Sequence, residues 1–170
     1  RRLTDATAAY LIRQIEAGAD AVKLFDSWSG ALAGDPALFE RWCLRPMVEI
    51  AERVRAAHPD TPLIAFARGA GVEQVATLAR ERAVAAVAID ETIDPETARD
   101  RLQPHATVQG NLDPAALRAG GAPMREAARR IVRTLGEGPF IFNLGHGITP
   151  EVDPAHVTDL VAAVREEATA

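Results

Sequence analysis

One short segment, FNLGHGI (142–148), carries residues that are suited to chemistry. Its apolar beginning runs into Asn143, Gly145, His146 and Gly147. Glycine allows close approach to the backbone, so a histidine between two glycines at a strand end is well placed to contact a ligand. An isolated histidine more often has a structural role, but this position leads us to predict a site role for His146.

Polar residues also follow four other apolar runs. They are Asp26 and Ser27, Arg68 and Gly69, Asp90, and the segment 109–113. Ser27 either caps the turn after its strand or contacts a ligand. Arg68 either binds a carboxylate or pairs with an acidic neighbour.

The segment QGNLDP contains two polar residues for which a structural role is expected. Asp113 is predicted to cap the next helix, and Asn111 to tie the loop together. Asn111 and Asn143 are also possible pocket residues. The glycines after Arg68 do not form a phosphate loop, because GxGxxG is incomplete and the lysine of a P-loop is absent. We expect them to let a ligand approach the backbone.

Other familiar sites lack support in the sequence. No serine lies on a nucleophile elbow, and no HxxH or HxC pair indicates a metal. Trp28 and Trp42 are interpreted as packing residues, and the three remaining histidines as surface residues: His58, His105 and His156.

The composition indicates a globular protein. Of 170 residues, 48% are apolar and 25% charged, and the net charge of −5 includes no long basic cluster that would suggest nucleic-acid binding. The single cysteine, Cys43, excludes a disulfide framework within the chain and favours a reducing, intracellular setting. No apolar run approaches the ~20 residues of a membrane span. Arg1 in place of methionine leads us to expect a partial or processed chain.

Five apolar runs predict buried strands. They are residues 21–25, 63–66, 84–89, 107–109 and 140–144. Because they do not alternate with polar residues, they are typical of parallel strands covered on both faces. Helical patterns lie between them, with faces formed by Met124, Ala128, Ile131 and Leu135 and by Val157, Leu160, Val161 and Val164. Four Asp-Pro pairs predict helix starts, at Asp35, Asp94, Asp113 and Asp153.

This alternation predicts an α/β fold with a parallel sheet. A doubly wound open sheet would concentrate its polar residues at one switch point, whereas a (β/α)8 TIM barrel places them at every strand end. Here each strand carries polar residues at the same end. We therefore favour a partial barrel of about five parallel strands with flanking helices.

Four segments resemble the uroporphyrinogen decarboxylase family in order and approximate spacing. They are GADAVKLFDSWSG, PLIAFARGAG, VQGNLDPAAL and FIFNLGHGITPEVDPAHV. The resemblance implies that residues 1–170 are the C-terminal portion of one barrel domain. It also implies decarboxylation of the four acetate side chains of uroporphyrinogen III to give coproporphyrinogen III in haem biosynthesis. The implied enzyme is a cytoplasmic homodimer without metal or organic cofactor, which binds neither nucleic acid nor membrane.

The resemblance assigns substrate contacts to Ser27 and His146 but no catalytic residue to this chain. The family's arginine-rich segment, its charge-stabilising aspartate and a substrate-contacting tyrosine have no counterpart here, and Tyr10 does not match that tyrosine. Glu91 stands where many members have tryptophan or threonine. The chain alone is therefore expected to be inactive.

Two alternatives remain. A corrinoid-linked methyltransferase of the same superfamily would hold zinc through an HxC pair and a later cysteine, whereas the corresponding strand end here reads FARG. A non-catalytic tetrapyrrole-binding module would keep this part of the barrel without the reaction. Sequence upstream of Arg1 would discriminate between an enzyme and such a module.

Overall fold

Aspartate side chains set the start of four helices. The structure is a computed structural model that describes residues 1–169. Asp35, Asp94, Asp113 and Asp153 each precede a proline and accept hydrogen bonds from N–H groups of the first helical turn. The carboxylate satisfies donors that the helix leaves free, and proline at the first position has no N–H to satisfy. All four predicted helix starts are confirmed.

The chain divides into two compact units, the first formed by Arg1–Val87 and the second beginning at Ala88. The helices of the first unit are α1 (Arg2–Glu16), α2 (Pro36–Phe39), α3 (Arg45–Ala57) and α4 (Val72–Ala79). Its strands β1 (Val22–Asp26) and β2 (Leu63–Ala67) are parallel, with Asp26 opposite Ala67. A 3-10 turn, Ser29–Leu32, follows β1, and a π-helical turn, Glu40–Leu44, joins α2 to α3. Helix α1 packs against α3.

The second unit repeats the alternation of strand and helix. The short strand β3 (Ala86–Ala88) spans the division between the units. It is followed by α5 (Pro95–Arg101), β4 (Thr107–Leu112), α6 (Pro114–Ala119), α7 (Gly121–Leu135), β5 (Phe140–Leu144) and α8 (Pro154–Ala168). Strands β4 and β5 are parallel, and α7 packs against α8, α5 and both strands.

All five predicted strands are present, in the sheet order β1-β2-β3-β4-β5. The prediction was wrong at the end of the fourth strand. Gln109, Gly110 and Asn111 lie inside β4 rather than after it, because pairing with β5 continues to Leu112 opposite Leu144. Strand pairing uses backbone groups, so polar side chains do not by themselves end a strand.

The prediction of burial on both faces is confirmed for the middle strands and wrong for the first and last. Strands β2, β3 and β4 are buried at nearly every position, whereas burial alternates along β1 and β5. Phe25 is 59% exposed and Ile141 is 41% exposed. Successive side chains point to opposite faces of a strand, and in β1 it is Val22 and Leu24 that are buried.

The apolar helix faces predicted from periodicity are buried in α7 but only partly buried in α8. The predicted apolar face of α7 is buried, including Met124 and Leu135. In α8, however, Leu160 and Ala163 are buried while Val161 is 42% exposed. The buried stripe of α8 therefore includes Ala163 instead of Val161, a difference that apolar periodicity alone does not reveal.

Candidate functional site

In the first unit, the ends of β1 and β2 are joined by a compact hydrogen-bond network. The backbone N–H of Arg68 donates to the Asp26 carbonyl at 3.0 Å. The Ser29 hydroxyl donates to the carbonyls of both Asp26 (3.0 Å) and Arg68 (2.8 Å), and Ser29 is fully buried. The Asp26 carboxylate accepts from the Trp28 N–H at 3.1 Å. These bonds fix the course of the chain directly after both strands.

Two glycines allow the loops after β1 and β2 to touch. A Cβ on Gly30 would lie 2.9 Å from the Gly69 Cα, and Gly69 has a φ of +74°, in the left-handed region. The Gly30 N–H also donates to the Arg68 carbonyl at 2.8 Å. We expected the glycines after Arg68 to let a ligand approach the backbone; in the structure, Gly69 accommodates the close approach of the protein's own backbone at Gly30.

The side chains that this network leaves outside are those of Ser27, Trp28 and Arg68, all of which are exposed. Trp28 is 83% exposed and Trp42 58%, so their interpretation as packing residues is wrong. The structure therefore presents Ser27 and Arg68 at neighbouring strand ends on a rigid backbone.

A buried cysteine contacts the end of β1, where this network begins. Cys43, in the π-helical turn, is 3% exposed, and its thiol donates to the Asp26 carboxylate. Burial raises the pKa of the Cys43 thiol to about 11, and the negative charge and hydrogen bond of Asp26 add to this shift. The thiol is thus protonated at neutral pH and acts as a hydrogen-bond donor rather than as a nucleophile.

In the second unit, Asn111 organises the loop that follows β3. Its side-chain amide donates to the carbonyls of Asp90 (3.0 Å) and Ile93 (2.6 Å), and Asn111 is 4% exposed. The Asp90 carboxylate in turn accepts from the N–H and the hydroxyl of Thr92. Asn111 has the tying role that we predicted, but it ties the loop after β3 rather than its own. Its Oδ1 atom is buried without a hydrogen-bond partner among the described residues.

Gly145 packs directly on that loop. Its N–H donates to the Leu112 carbonyl at 2.7 Å. A Cβ at this position would lie 2.6 Å from the backbone nitrogen of Glu91 and 2.5 Å from its Oε2 atom. Gly147, by contrast, would place a Cβ in open space. The first glycine of the GHG segment is therefore required by internal packing, and the second is not.

His146 is held between a carbonyl and a carboxylate. Its Nδ1 atom lies 3.1 Å from the Gly147 carbonyl oxygen, and its Nε2 atom lies 3.8 Å from Oε1 of Glu91. The imidazole is 25% exposed and the Glu91 side chain 30%. The histidine is therefore oriented by the protein yet open to a ligand.

The remaining polar residues named in the sequence analysis make local hydrogen bonds. Asp113 caps α6 through the Ala115 N–H at 2.7 Å, as predicted. Asn143 is exposed, and its Oδ1 accepts from the N–H of Leu144 at 2.8 Å. The prediction of a surface role for His156 was wrong, since its half-buried ring bonds the Leu117 carbonyl at 3.0 Å.

The structure thus forms one group of residues in each unit. Ser27 and Arg68 belong to the first, and Asn111 and His146 to the second. Sequence reasoning assigned no structural role to three residues near these groups: Ser29, Cys43 and Glu91. FDSWSG contains two serines that spacing does not distinguish, and nothing in the sequence pairs Cys43 with Asp26 or Glu91 with His146.

Neither a metal site nor a membrane-spanning helix is found within residues 1–169. No group of three or more histidine, cysteine, aspartate or glutamate side chains in this range is arranged to hold a metal ion. None of the helices in the same range is both long and apolar enough to cross a membrane.

Comparison with known proteins decides the family. The family model described as uroporphyrinogen decarboxylase (URO-D) matches residues 1–167. The chain belongs to the uroporphyrinogen decarboxylase family. Relatives with that description include a protein from Mesorhizobium japonicum, 51% identical over 166 residues, and one from Sphingopyxis alaskensis, 49% identical over 163 residues.

The chain spans about half the length of these family members. The alignments cover 98% and 96% of the chain but 47% of each relative. A methyltransferase from Methanosarcina mazei matches in structure with a TM-score of 0.76, over 96% of this chain and 47% of that one. At 20% sequence identity this likeness is evidence for the fold alone. The predicted class, five parallel strands with flanking helices as in part of a TIM barrel, is confirmed.

Proposed function

We propose that this chain is the C-terminal portion of a single-domain uroporphyrinogen decarboxylase. The reaction is the removal of carboxyl groups from the four acetate side chains of uroporphyrinogen III, which yields coproporphyrinogen III. The observation that carries the proposal is the family match over residues 1–167, together with about 50% identity to curated relatives.

The geometry of the second unit supports a carboxylate-binding role for His146. The substrate is rich in carboxylates, and an oriented, partly open imidazole is suited to contact one of them. Open space beside Gly147 leaves room for a large ring system near the backbone. Asn143, which is exposed, is a further polar group of this unit that can line the pocket, whereas Asn111 is buried and supports the loop after β3.

In the first unit, Ser27 and Arg68 have a complementary role. Both side chains are exposed at strand ends whose backbone is fixed by Ser29. The Ser27 hydroxyl can donate to a substrate oxygen, and the guanidinium of Arg68 can bind a carboxylate through two parallel hydrogen bonds.

The chemistry needs orientation and electrostatics rather than a cofactor. A proton adds to the pyrrole ring carbon next to the one that bears the acetate group, and the ring becomes cationic. The bond to the carboxyl carbon then breaks, its electron pair flows into the ring, and CO2 leaves. A second proton converts the remaining exocyclic methylene to a methyl group, and the ring carbon releases the first proton, which restores the neutral pyrrole. The protein must hold the substrate and place negative charge near the pyrrole nitrogens. The resemblance assigns that charge to an aspartate outside this chain.

Turnover by the full-length enzyme that contains this chain tests the proposal. We expect uroporphyrinogen III to be converted to coproporphyrinogen III. Chromatography of the oxidised porphyrins measures this conversion. The enzyme is proposed to be a cytoplasmic homodimer. A folded protein that binds uroporphyrinogen without any loss of CO2 would contradict the proposal and favour a non-catalytic binding module.

Chelation discriminates this enzyme from a zinc-dependent methyltransferase. We expect decarboxylation to survive prolonged treatment with EDTA, because the proposed reaction uses no metal. Steady-state rates before and after dialysis against EDTA measure this. Loss of activity that zinc restores would contradict the proposal and favour the methyltransferase.

A further inference from the structure

The only lysine in the sequence is Lys23, which lies in the middle of β1. Successive side chains of a strand point to opposite faces, and Val22 and Leu24 form the buried face of β1. Lys23 and Phe25 therefore lie on the other face. Strand pairing sets Phe66 of β2 beside Phe25 on that same face.

The ammonium group of Lys23 lies over two aromatic rings. Its Nζ atom is 4.7 Å from the centroid of the Phe25 ring and 5.1 Å from that of the Phe66 ring. The two rings pack edge to face with their centroids 5.8 Å apart. Both ammonium distances are within the ~6 Å range of a cation–π interaction. Because Phe25 is the next residue of this face toward the end of β1, the Lys23 side chain is directed toward that strand end.

The same strand end carries the residues to which the proposed function assigns substrate contacts in this unit. Ser27 follows β1 directly, Arg68 follows β2 directly, and both are exposed. The ring of Phe25, which is 59% exposed, is also open to a ligand. Lys23 therefore adds a second cationic group to a surface that already offers a guanidinium, a hydroxyl and an aromatic ring.

A charge on this face of the sheet has a cost that an apolar side chain would not have. The neighbours of Lys23 on the face are Phe25, Ile64 and Phe66. Burial disfavours the charged form and lowers the pKa of Lys23 from its ordinary value of 10.5, which is far enough above neutral pH for the ammonium ion to persist. A methionine would fill similar space without this cost, so an anionic ligand explains the charge better than packing does.

We propose that Lys23 is a further substrate-binding residue, whose ammonium group contacts a carboxylate of the substrate while the pyrrole ring that bears it packs on Phe25. A cation beside an exposed aromatic ring fits a ligand that carries carboxylates on apolar rings. The inference deepens the proposed function and rests on it for the identity of the ligand.

The first experiment compares Lys23→Met with Lys23→Arg in the full-length enzyme. In Lys23→Met we expect KM for uroporphyrinogen III to rise about fivefold to twentyfold, the effect of losing a charge-assisted contact at a partly exposed position, with kcat nearly unchanged. Lys23→Arg keeps the charge and should recover most of the loss. The control Arg13→Met removes an exposed cation of α1 and should leave KM unchanged.

The melting temperature discriminates a binding role from a structural one. Lys23→Met removes the cost of burying a charge, so we expect it to melt at the wild-type temperature or above it. A lysine retained for its contacts with Phe25 and Phe66 would instead give a lower melting temperature and an unchanged KM, which would overturn the inference.

Equilibrium binding of uroporphyrinogen III separates this inference from the proposed function. We expect Kd to rise in Lys23→Met by about the same factor as KM. If Kd rises although the wild type releases no CO2, the Lys23 contact holds and the proposed function fails. If a folded Lys23→Met variant decarboxylates uroporphyrinogen III with unchanged Kd and KM, the proposed function holds and the role of Lys23 is refuted.

Discussion

At the scale of single residues, two histidines of the second unit have different surroundings. His146 is partly open and lies beside a carboxylate, whereas His156 is half-buried and bonds a backbone carbonyl. A Cβ on Gly120 would lie 2.5 Å from the His156 ring, so that ring fills a tightly packed position. The same residue type thus has a partly open environment at His146 and a packed environment at His156.

We predict that His146→Ala weakens substrate handling more than it weakens folding. Loss of a charge-assisted contact should reduce transition-state stabilisation by about 1.5–3 kcal/mol, measured from the decrease in kcat/KM of the full-length enzyme. His156→Ala is the matched control and should lower the melting temperature while kcat/KM stays close to the wild-type value. Normal kcat/KM with a much lower melting temperature in His146→Ala would show that His146 is structural.

Cys43 should make stability depend on alkaline pH. Because its folded-state pKa of about 11 lies above the ordinary thiol value of 9.0, the protonated thiol favours the folded state. This contribution is complete below pH 9 and is lost as the pH rises toward 11, by about 2–3 kcal/mol. Urea unfolding of wild type and Cys43→Ala across this range measures it as a difference. A difference between the two proteins that stays constant from pH 8 to pH 11 would contradict the prediction.

At the scale of elements, glycines decide how closely the loops after neighbouring strands can approach. The loop after β5 rests on the loop after β3 through Gly145, and the loop after β1 rests on that after β2 through Gly30 and Gly69. In both places a side chain would meet backbone atoms, which cannot move aside as a flexible side chain can. The strand ends are therefore packed against each other before any ligand is considered.

We expect Gly145→Ala to destabilise the protein by about 1–3 kcal/mol, because its Cβ would overlap the Glu91 backbone. Gly147→Ala, two residues away with open space at its Cβ, is the control and should be nearly neutral. Chemical unfolding of both variants measures the difference. Equal stability of the two variants would show that the Glu91 loop moves aside at little cost.

At the scale of the whole molecule, the sheet order makes β1 and β5 the outer strands. Each pairs with one neighbour among the described residues, and each carries an exposed apolar side chain, Phe25 and Ile141 respectively. A closed barrel leaves no strand edge, whereas an open row of strands offers edges that recruit other chains. The molecule should therefore behave differently alone and within a longer polypeptide.

We predict that the 170-residue chain by itself associates and does not decarboxylate uroporphyrinogen. Ile141→Lys places a charge on an outer strand and should reduce association, whereas Leu3→Lys, on an exposed position of α1, should not. Size-exclusion chromatography with light scattering measures the mass. A monodisperse, cooperatively melting monomer would contradict the partial-barrel prediction. Measurable turnover would contradict the assignment of the essential acid to the rest of the protein.

The sequence by itself determined the alternation of strands and helices, the four aspartate caps and the family. These depend on local patterns, because a cap acts within one helical turn and an apolar run is continuous along the chain. Only the tertiary structure decided which polar residues meet. Ser29 reaches a carbonyl 39 residues away, and Asn111 bonds carbonyls 21 and 18 residues before it. Such partners are set by how loops from separate strands pack, so the placement of Glu91 beside His146 became visible only in three dimensions.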